Sequence, residues 1–264
     1  MAIKLIAIDL DDTLLDSERK ISERNKRAIA AAIAQGITVT IATGRMYPSA
    51  RIYAEQLNID VPLITYNGGV IRSWQSGEVL YHRPIELADA QAILELFRQK
   101  GWYMQSYVDD VLYVDEFGEM AHRYERLTGI KAVALGEDFY HPQTPPTKML
   151  ALGDPSVVSE IAKIMETEVG ERVCWMRSKP QYIEIIHSEV NKGRAVDFLA
   201  KRMGIESDEV MAIGDSPNDL AMLKYAGLSV AMENADDCVK EVSKVVTAHH
   251  DQDGVAAAIE KYAL

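Results

Sequence analysis

The chain has little cysteine. Only Cys174 and Cys238 occur in 264 residues, far apart and outside any CxxC or Cys/His cluster, so neither a disulfide framework nor a structural zinc site has support. It has no long hydrophobic run, and nothing approaches the ~20 apolar residues that cross a bilayer. It is short of positive charge: Lys plus Arg total 28 against 40 Asp plus Glu, a formal net charge of −12. Phosphate backbones and acidic lipid surfaces are therefore poor partners, so neither nucleic acid nor membrane is expected. A small anionic substrate remains open, provided a local cationic site outweighs the global field. Walker A, GxGxxG and HExxH patterns are also missing, which removes support for nucleotide-triphosphate, dinucleotide and zincin readings. The opening MAIKLIAIDLDDT meets charge too soon for a signal-peptide layout. A reduced, cytoplasmic setting is expected.

Hydrophobic residues make up 48% of the chain, enough for a sizeable core. At ~150 residues per domain, the length suggests one large or two modest domains. IKLIAI at 3–8 is a short apolar run that stops abruptly at DLDDT, the pattern of a buried strand whose carboxyl end meets water. Ser22 can cap a helix running to about Gln35. A strand at 37–42, a helix from about Pro48 to Leu57 and a strand at 62–66 follow. This alternation is the grammar of a parallel sheet covered by helices. A hairpin turning at Gln75-Ser76-Gly77 closes the stretch.

From about Pro84 to Ile186 the order becomes mixed, with helices at 86–100 and 155–169 among paired strands and a Pro-rich connection at 141–148. The parallel grammar then returns. A helix spans 192–203, EVMAIGD at 209–215 is a strand that again ends acidic, and LSVAM, KVVT and a terminal helix complete it. The expected fold is α/β: a doubly wound, Rossmann-like parallel-sheet core at 1–82 and 188–264, with an α+β cap domain inserted at 83–187.

Open parallel sheets bind ligands at the carboxyl edge of their strands. Three strand ends here carry residues suited to phosphoryl transfer: Asp9, Asp11, Asp12 and Thr13; Thr43-Gly44-Arg45; and Gly214-Asp215-Ser216-Pro217-Asn218-Asp219. A phosphate monoester is dianionic and an attacking carboxylate is anionic, so a divalent cation must bridge them, and Mg²⁺ favours carboxylates and waters. Asp9 and Asp215 can supply carboxylates from two strand ends. Lys192 can neutralise the phosphate oxygens that face away from the metal. Thr43, Gly44 and loop amides can donate at a helix start. Asp11 can act as general acid and then base.

DLDDT at 9–13, ATGR at 42–45, NKG at 191–193 and GDSPND at 214–219, in that order, resemble the four motifs of the haloacid dehalogenase superfamily. The insert, together with YNGG at 66–69 and VAMENA at 230–235, resembles its Cof-type subfamily. The resemblance covers essentially the whole chain. It implies a phosphatase with Asp9 as nucleophile and Asp11 as general acid/base. It also implies Mg²⁺ held by Asp9, Asp215 and the Asp11 main chain, and phosphate held by Thr43, Gly44, Lys192, Asn218 and the Leu10 amide. Substrates in such a family are small phosphorylated metabolites, mostly sugar phosphates and in some members flavin or pyridoxal phosphates. Asp12 stands where the family pattern has Gly; Asp tolerates left-handed backbone better than most residues.

Other features read more plainly. Asp219 reads as a supporting or helix-start residue rather than a metal ligand. Arg45 serves equally well as a phosphate contact or a carboxylate partner. His249-His250 resembles a ligand pair but reads as surface loop, because adjacent side chains rarely share one metal and no third ligand follows. Trp102, Tyr103, Tyr107 and Tyr113 read as cap core, and DEFGE at 115–119 as a solvated face. A phosphomutase of the same superfamily, a receiver-type signalling domain and a non-catalytic phosphometabolite binder are the rival functions; the receiver is disfavoured by length and by the insert.

Overall fold

A computed structural model describes residues 2–59 and 61–264. They divide into two compact units, one of Met1–Tyr81 with Asn191–Leu264 and one of His82–Val190. In chain order the first unit begins with β1 (Leu5–Ile8), α1 (Glu23–Ala34), β2 (Thr38–Ile41), α2 (Tyr47–Leu57), β3 (Leu63–Thr65), β4 (Val70–Arg72) and β5 (Val79–His82). The second unit holds α3 (Leu87–Lys100), β6 (Met104–Val108), β7 (Val111–Val114), α4 (Glu119–Thr128), β8 (Ala132–Ala134), β9 (Lys148–Leu152), α5 (Pro155–Ile164), β10 (Val173–Lys179) and β11 (Tyr182–His187). The chain returns to the first unit with α6 (Lys192–Arg202), β12 (Val210–Gly214), α7 (Leu220–Tyr225), β13 (Leu228–Ala231), α8 (Asp237–Val242), β14 (Val245–Val246) and α9 (Gly254–Tyr262).

The main sheet of the first unit runs β14-β13-β12-β1-β2, with every pairing parallel. A parallel bridge between Ala42 and Ile64 continues the direction towards β3. Every residue of β1 and β12 is buried. That explains their unbroken apolar runs: helices cover both faces of such a sheet, so alternation is lost. Strand order runs outward in both directions from the β1–β12 pair, which makes their carboxyl ends the switch point where doubly wound sheets bind ligands. Ile8 pairs with Ile213 on one side and Ile41 on the other. The register thus sets Asp9, the loop after Ile41 and Asp215 on one edge. Ser22 caps α1 by accepting from the Asn25 amide at 3.1 Å, a contact that contributes about 1 kcal/mol in typical helices.

The second unit is built on a sheet of order β10-β11-β9-β6-β7-β8, antiparallel except where β8 joins β7. Met104, Met149, Ile183 and Ile185 pack on one face with Ile93 and Phe97 of α3 and Val158 and Ile161 of α5. The two-residue period of strands sends Gln105, Tyr107, Lys148 and Glu184 to the other face. There Lys148 Nζ meets Glu184 at 2.7 Å, and Tyr107 Oη lies 2.7 Å from Tyr124 Oη of α4.

Two sequence expectations need correction. Of the four aromatics read as cap core, Trp102 and Tyr113 pack half-buried against it, Tyr107 is buried on the sheet's other face, and Tyr103 is half-buried outside the cluster. Phe97, Phe139, methionines and aliphatic residues make up its fully buried part. His249-His250 is not simply surface loop. His250 is buried at the start of a short 3₁₀ turn, with Nδ1 2.9 Å from the Leu15 carbonyl. No helix among the described residues is long and apolar enough to cross a membrane.

Candidate active site

Asp9 leaves β1 still tied to the neighbouring strand, its amide donating to the Ile213 carbonyl at 3.0 Å. The chain then makes a wide turn. The Leu14 amide donates to the Asp9 carbonyl at 3.3 Å and the Leu15 amide to the Leu10 carbonyl at 2.9 Å. Leu10 is buried inside this turn. Asp11 is extended, whereas Asp12 has φ 55° and ψ 17°. The residue that departs from the family pattern therefore sits in the left-handed region that Gly would fill without strain and Asp accepts more readily than most. Its carbonyl accepts from Asn234 Nδ2 at 2.7 Å, which holds the turn open.

Lys192 reaches the site from the first turn of α6, where a cation opposes the helix dipole. Asn191 caps that helix, its Oδ1 accepting from the Arg194 amide at 2.9 Å. Gly193 lets the helix approach α7 closely, since a Cβ there would lie 2.4 Å from the Ala221 carbonyl oxygen. Lys192 is fully buried, and its Nζ donates to Asp9 Oδ1 at 2.5 Å and to Asp219 Oδ1 at 2.6 Å. Burial alone would lower its pKa, but the charges of Asp219 and Asp9 hold it well above the ordinary lysine value.

Asp219 spends both oxygens on protein donors: Oδ1 on Lys192, and Oδ2 on the amides of Asp215 at 3.0 Å and Ser216 at 3.1 Å. The sequence reading of Asp219 as a supporting residue agrees with this geometry. Asp215 accepts from Thr13 Oγ1 on Oδ1 at 2.8 Å. That leaves Asp9 Oδ2 and Asp215 Oδ2 without a hydrogen-bond donor among the described residues.

Three buried carboxylates therefore face one ammonium, an excess of two formal negative charges. Asp9 is pushed well above the usual carboxylate range, by burial first; Lys192 opposes this, and Asp219, Asp215 and Asp11 add to it. Asp215 is pushed up to about 7 by burial and then by the charge of Asp219, against the Thr13 hydrogen bond and Lys192. A divalent cation would cancel the excess. Asp9, Asp215 and Asp219 offer oxygens within 4.8 Å of one another, and the two oxygens left without donors are hard ligands of the kind Mg²⁺ takes. The residues fit such an ion.

The second strand end folds towards the same loops. Thr43 is buried, with its amide on the Ile64 carbonyl at 2.9 Å and its hydroxyl accepting from the Arg45 amide at 3.2 Å. Gly44 has a steric reason to be Gly, because a Cβ would stand 2.9 Å from Asn67 Oδ1. That oxygen accepts from Asn218 Nδ2 at 3.1 Å, and the Asn67 amide donates to the Thr43 carbonyl at 2.9 Å. Asn67 thus joins the Thr43–Arg45 loop to the Asp215–Asp219 loop. In the sequence YNGG carries only a family resemblance, and no role for Asn67 follows from it. The available signal was Asn before Gly: Tyr66 and Asn67 take φ 52° and 57°, and Asn enters that region at low cost.

The structure brings Asp9, Lys192 and Asp215 into direct or shared contact and sets Thr43, Gly44 and Asn218 around Asn67. It holds Asp11 elsewhere. The two Asp11 oxygens accept from Arg45 Nε at 2.8 Å and Nη2 at 2.6 Å. Arg45 also donates to Tyr53 Oη at 3.2 Å. Of the two readings of Arg45, the structure shows the carboxylate partner.

A doubly wound sheet thus carries a lysine-bridged carboxylate cluster at its switch point, beside a loop of small hydroxyl and amide donors, an arrangement suited to phosphoryl transfer. The chain belongs to the haloacid dehalogenase-like hydrolases, whose family pattern matches residues 6–259. A Bacillus subtilis 5-amino-6-(5-phospho-D-ribitylamino)uracil phosphatase is 35% identical over 263 residues, covering 99% of this chain and 96% of the relative. The crystal structure of a haloacid dehalogenase-like hydrolase from Bacteroides thetaiotaomicron is 30% identical with a TM-score of 0.89, covering 98% of this chain and 99% of the other. A subclass IIB sugar phosphatase is 25% identical with a TM-score of 0.82, over 98% of both chains.

Proposed function

We propose that this chain hydrolyses primary phosphate esters of sugars and sugar alcohols, with Asp9 as phosphoryl acceptor and Mg²⁺ as the bound cation. The observation that carries the reading is the state of Asp9. One oxygen is fixed by Lys192 and the other has no donor among the described residues, so the carboxylate is oriented and still able to attack.

Asp9 and Asp215 would hold the ion with the Asp11 main chain; bound there, it would offset the repulsion between the attacking carboxylate and the phosphate. A carboxylate oxygen of Asp9 forms a bond to phosphorus as the ester P–O bond breaks, and Asp11, protonated once it is off Arg45, gives its proton to the departing alkoxide. Asp11 then takes a proton from water as that water attacks phosphorus. The aspartyl P–O bond breaks, releasing inorganic phosphate and restoring Asp9. Lys192, Thr43, Gly44, Asn218 and the Leu10 amide orient the phosphoryl oxygens. Support for the substrate class comes from relatives: one acts on a 5-phosphoribityl compound and a structural neighbour is a sugar phosphatase.

The test is phosphate release from a panel of hexose phosphates, ribityl 5-phosphates including flavin mononucleotide, pyridoxal phosphate and p-nitrophenyl phosphate, with Mg²⁺ and with EDTA. Release is expected with Mg²⁺ and is lost in EDTA, with sugar and ribityl esters giving the higher kcat/KM. Conversion of a sugar phosphate to its isomer without phosphate release would establish a mutase instead.

Asp11 must leave Arg45 or carry it along to reach a leaving group. Arg45→Lys keeps the charge but replaces the two-pronged contact by one donor. It is expected to lower kcat by about 10-fold with KM little changed. The pair is partly exposed, so the melting temperature should move by no more than ~4 °C. Wild-type kcat in this variant would remove Arg45 from the positioning of Asp11.

A further inference from the structure

We propose that His249, His250 and Asp251 form a binding site for a borderline transition-metal dication, Zn²⁺ being the probe, separate from the carboxylate cluster at Asp9. The three residues are consecutive, and the 3₁₀ turn His250–Gln252 curls them round so that their polar atoms converge. His249 Nδ1 lies 3.7 Å and His250 Nε2 3.8 Å from the same oxygen, Asp251 Oδ2. These gaps are too long for hydrogen bonds. They are a few tenths of an ångström wider than the ~3.4 Å between ligands of a tetrahedral Zn²⁺.

Each outer contact prepares a ligand. His250 Nδ1 sits 2.9 Å from the Leu15 carbonyl, which can only accept. Nδ1 therefore carries the hydrogen of the neutral ring, and Nε2 is left with its lone pair. His250 is buried, yet Nε2 has no hydrogen bond among the described residues. The Asp251 carboxylate receives the Ser17 amide on Oδ1 at 2.8 Å and the Ser17 hydroxyl on Oδ2 at 2.7 Å. His249 and Asp251 are partly exposed, which leaves an entry path and room for water ligands. His249 would exchange one long contact, its Nδ1 accepting from the Asp251 amide at 3.2 Å.

Two imidazoles and one carboxylate select differently from the all-oxygen cluster at Asp9: nitrogen donors favour Zn²⁺, whereas Mg²⁺ favours oxygen. The site is also tied to the catalytic turn. Leu15 and Ser17 lie just beyond Asp9–Leu14. The His250 amide donates to Asn234 Oδ1 at 3.0 Å, while Asn234 Nδ2 holds the Asp12 carbonyl. An ion here would brace the exit of the turn that carries Asp9 and Asp11.

The test titrates Zn²⁺ into the full chain against a chromophoric chelator, with millimolar Mg²⁺ present to fill the carboxylate cluster. One Zn²⁺ per chain is expected, bound at least ~10-fold more weakly by His249→Ala and unchanged by Asp215→Asn. Co²⁺ should show a d–d band of nitrogen and oxygen ligation that His249→Ala loses. Asp251→Asn should weaken binding likewise, and serves if His249→Ala does not fold. No stoichiometric Zn²⁺, equal binding by His249→Ala, loss of binding in Asp215→Asn alone, or a thiolate charge-transfer band pointing to Cys238 would each overturn the proposal.

Discussion

Asp9→Asn is expected to lower phosphate release by at least ~10⁴-fold, the scale seen when an enzyme loses its nucleophile, without lowering the melting temperature. An amide oxygen can still accept from Lys192 Nζ, so the cluster keeps its shape. The substitution also removes one of the carboxylates whose burial is unfavourable in the metal-free protein. A fold that is intact or firmer, joined to a chemical step that is gone, is a combination that simple structural damage does not produce. Quantifying inorganic phosphate from the best substrate of the panel, beside a thermal melt followed by circular dichroism, reads both. Retention of more than a tenth of wild-type activity would remove Asp9 from the reaction and revive the non-catalytic phosphometabolite binder. The same variant provides a second reading: a phosphorylated protein trapped from wild type by rapid acid quench should be absent from Asp9→Asn, because no carboxylate oxygen remains to take the phosphoryl group.

The parts of the site that were legible in the sequence are those set by a single strand or helix. An apolar run that ends in acid gives both a buried strand and a carboxylate at its mouth, and β1 with Asp9 and β12 with Asp215 repeat that pattern. Asn191 before Lys192 is a helix start, and the helix delivers the lysine to the cluster. Asp12 stands where the resembled motif has Gly, a sign of left-handed backbone that Asp tolerates, and its φ of 55° agrees. What could not be read is pairing between distant pieces. Thr13 and Asp215 are 202 positions apart, Asn67 and Asn218 are 151 apart, and Leu15 and His250 are 235 apart. No local period encodes such contacts; only the strand order brings them together. The histidine pair illustrates the cost. From sequence the missing third ligand argued for plain surface, whereas the turn folds Asp251 back and the Leu15 carbonyl buries His250. Arg45 was undecided for the same reason: phosphate and carboxylate both suit a guanidinium, and only the position of Asp11 shows which one it meets.

Asp215→Asn is expected to make the metal-free protein more stable at alkaline pH while abolishing cation-dependent activity. In the metal-free fold the Asp215 carboxyl titrates at about 7, against an ordinary value of 3.8. Between those values the native state keeps a proton that the unfolded chain has lost. This contribution is fully present below pH 3.8 and disappears as pH rises through about 7. Above that, the wild-type protein carries a buried, unneutralised charge, and Asn, which has no proton to lose, avoids it. Asn Oδ1 can still accept from Thr13, so packing around the site is kept. The expected gain at pH 8 in EDTA is on the order of a few kcal/mol, falling to roughly a third of that at pH 5 and vanishing only below pH 3.8. Added Mg²⁺ should restore the wild type, because an ion that binds only the native state stabilises it by mass action, and should do little for the variant. By the same logic wild-type affinity for Mg²⁺ should weaken as pH falls below about 7, where the ion must displace the Asp215 proton. Thermal melts of both proteins at pH 5 and pH 8, each with EDTA and with Mg²⁺, provide the full comparison. If Asp215→Asn is the less stable protein at pH 8 in EDTA, the excess of negative charge at the switch point is not what prepares it for a cation. Stability given up in the metal-free state would otherwise be the physical basis of the affinity: the site is built with more charge than its one lysine can balance, and the ion restores the balance.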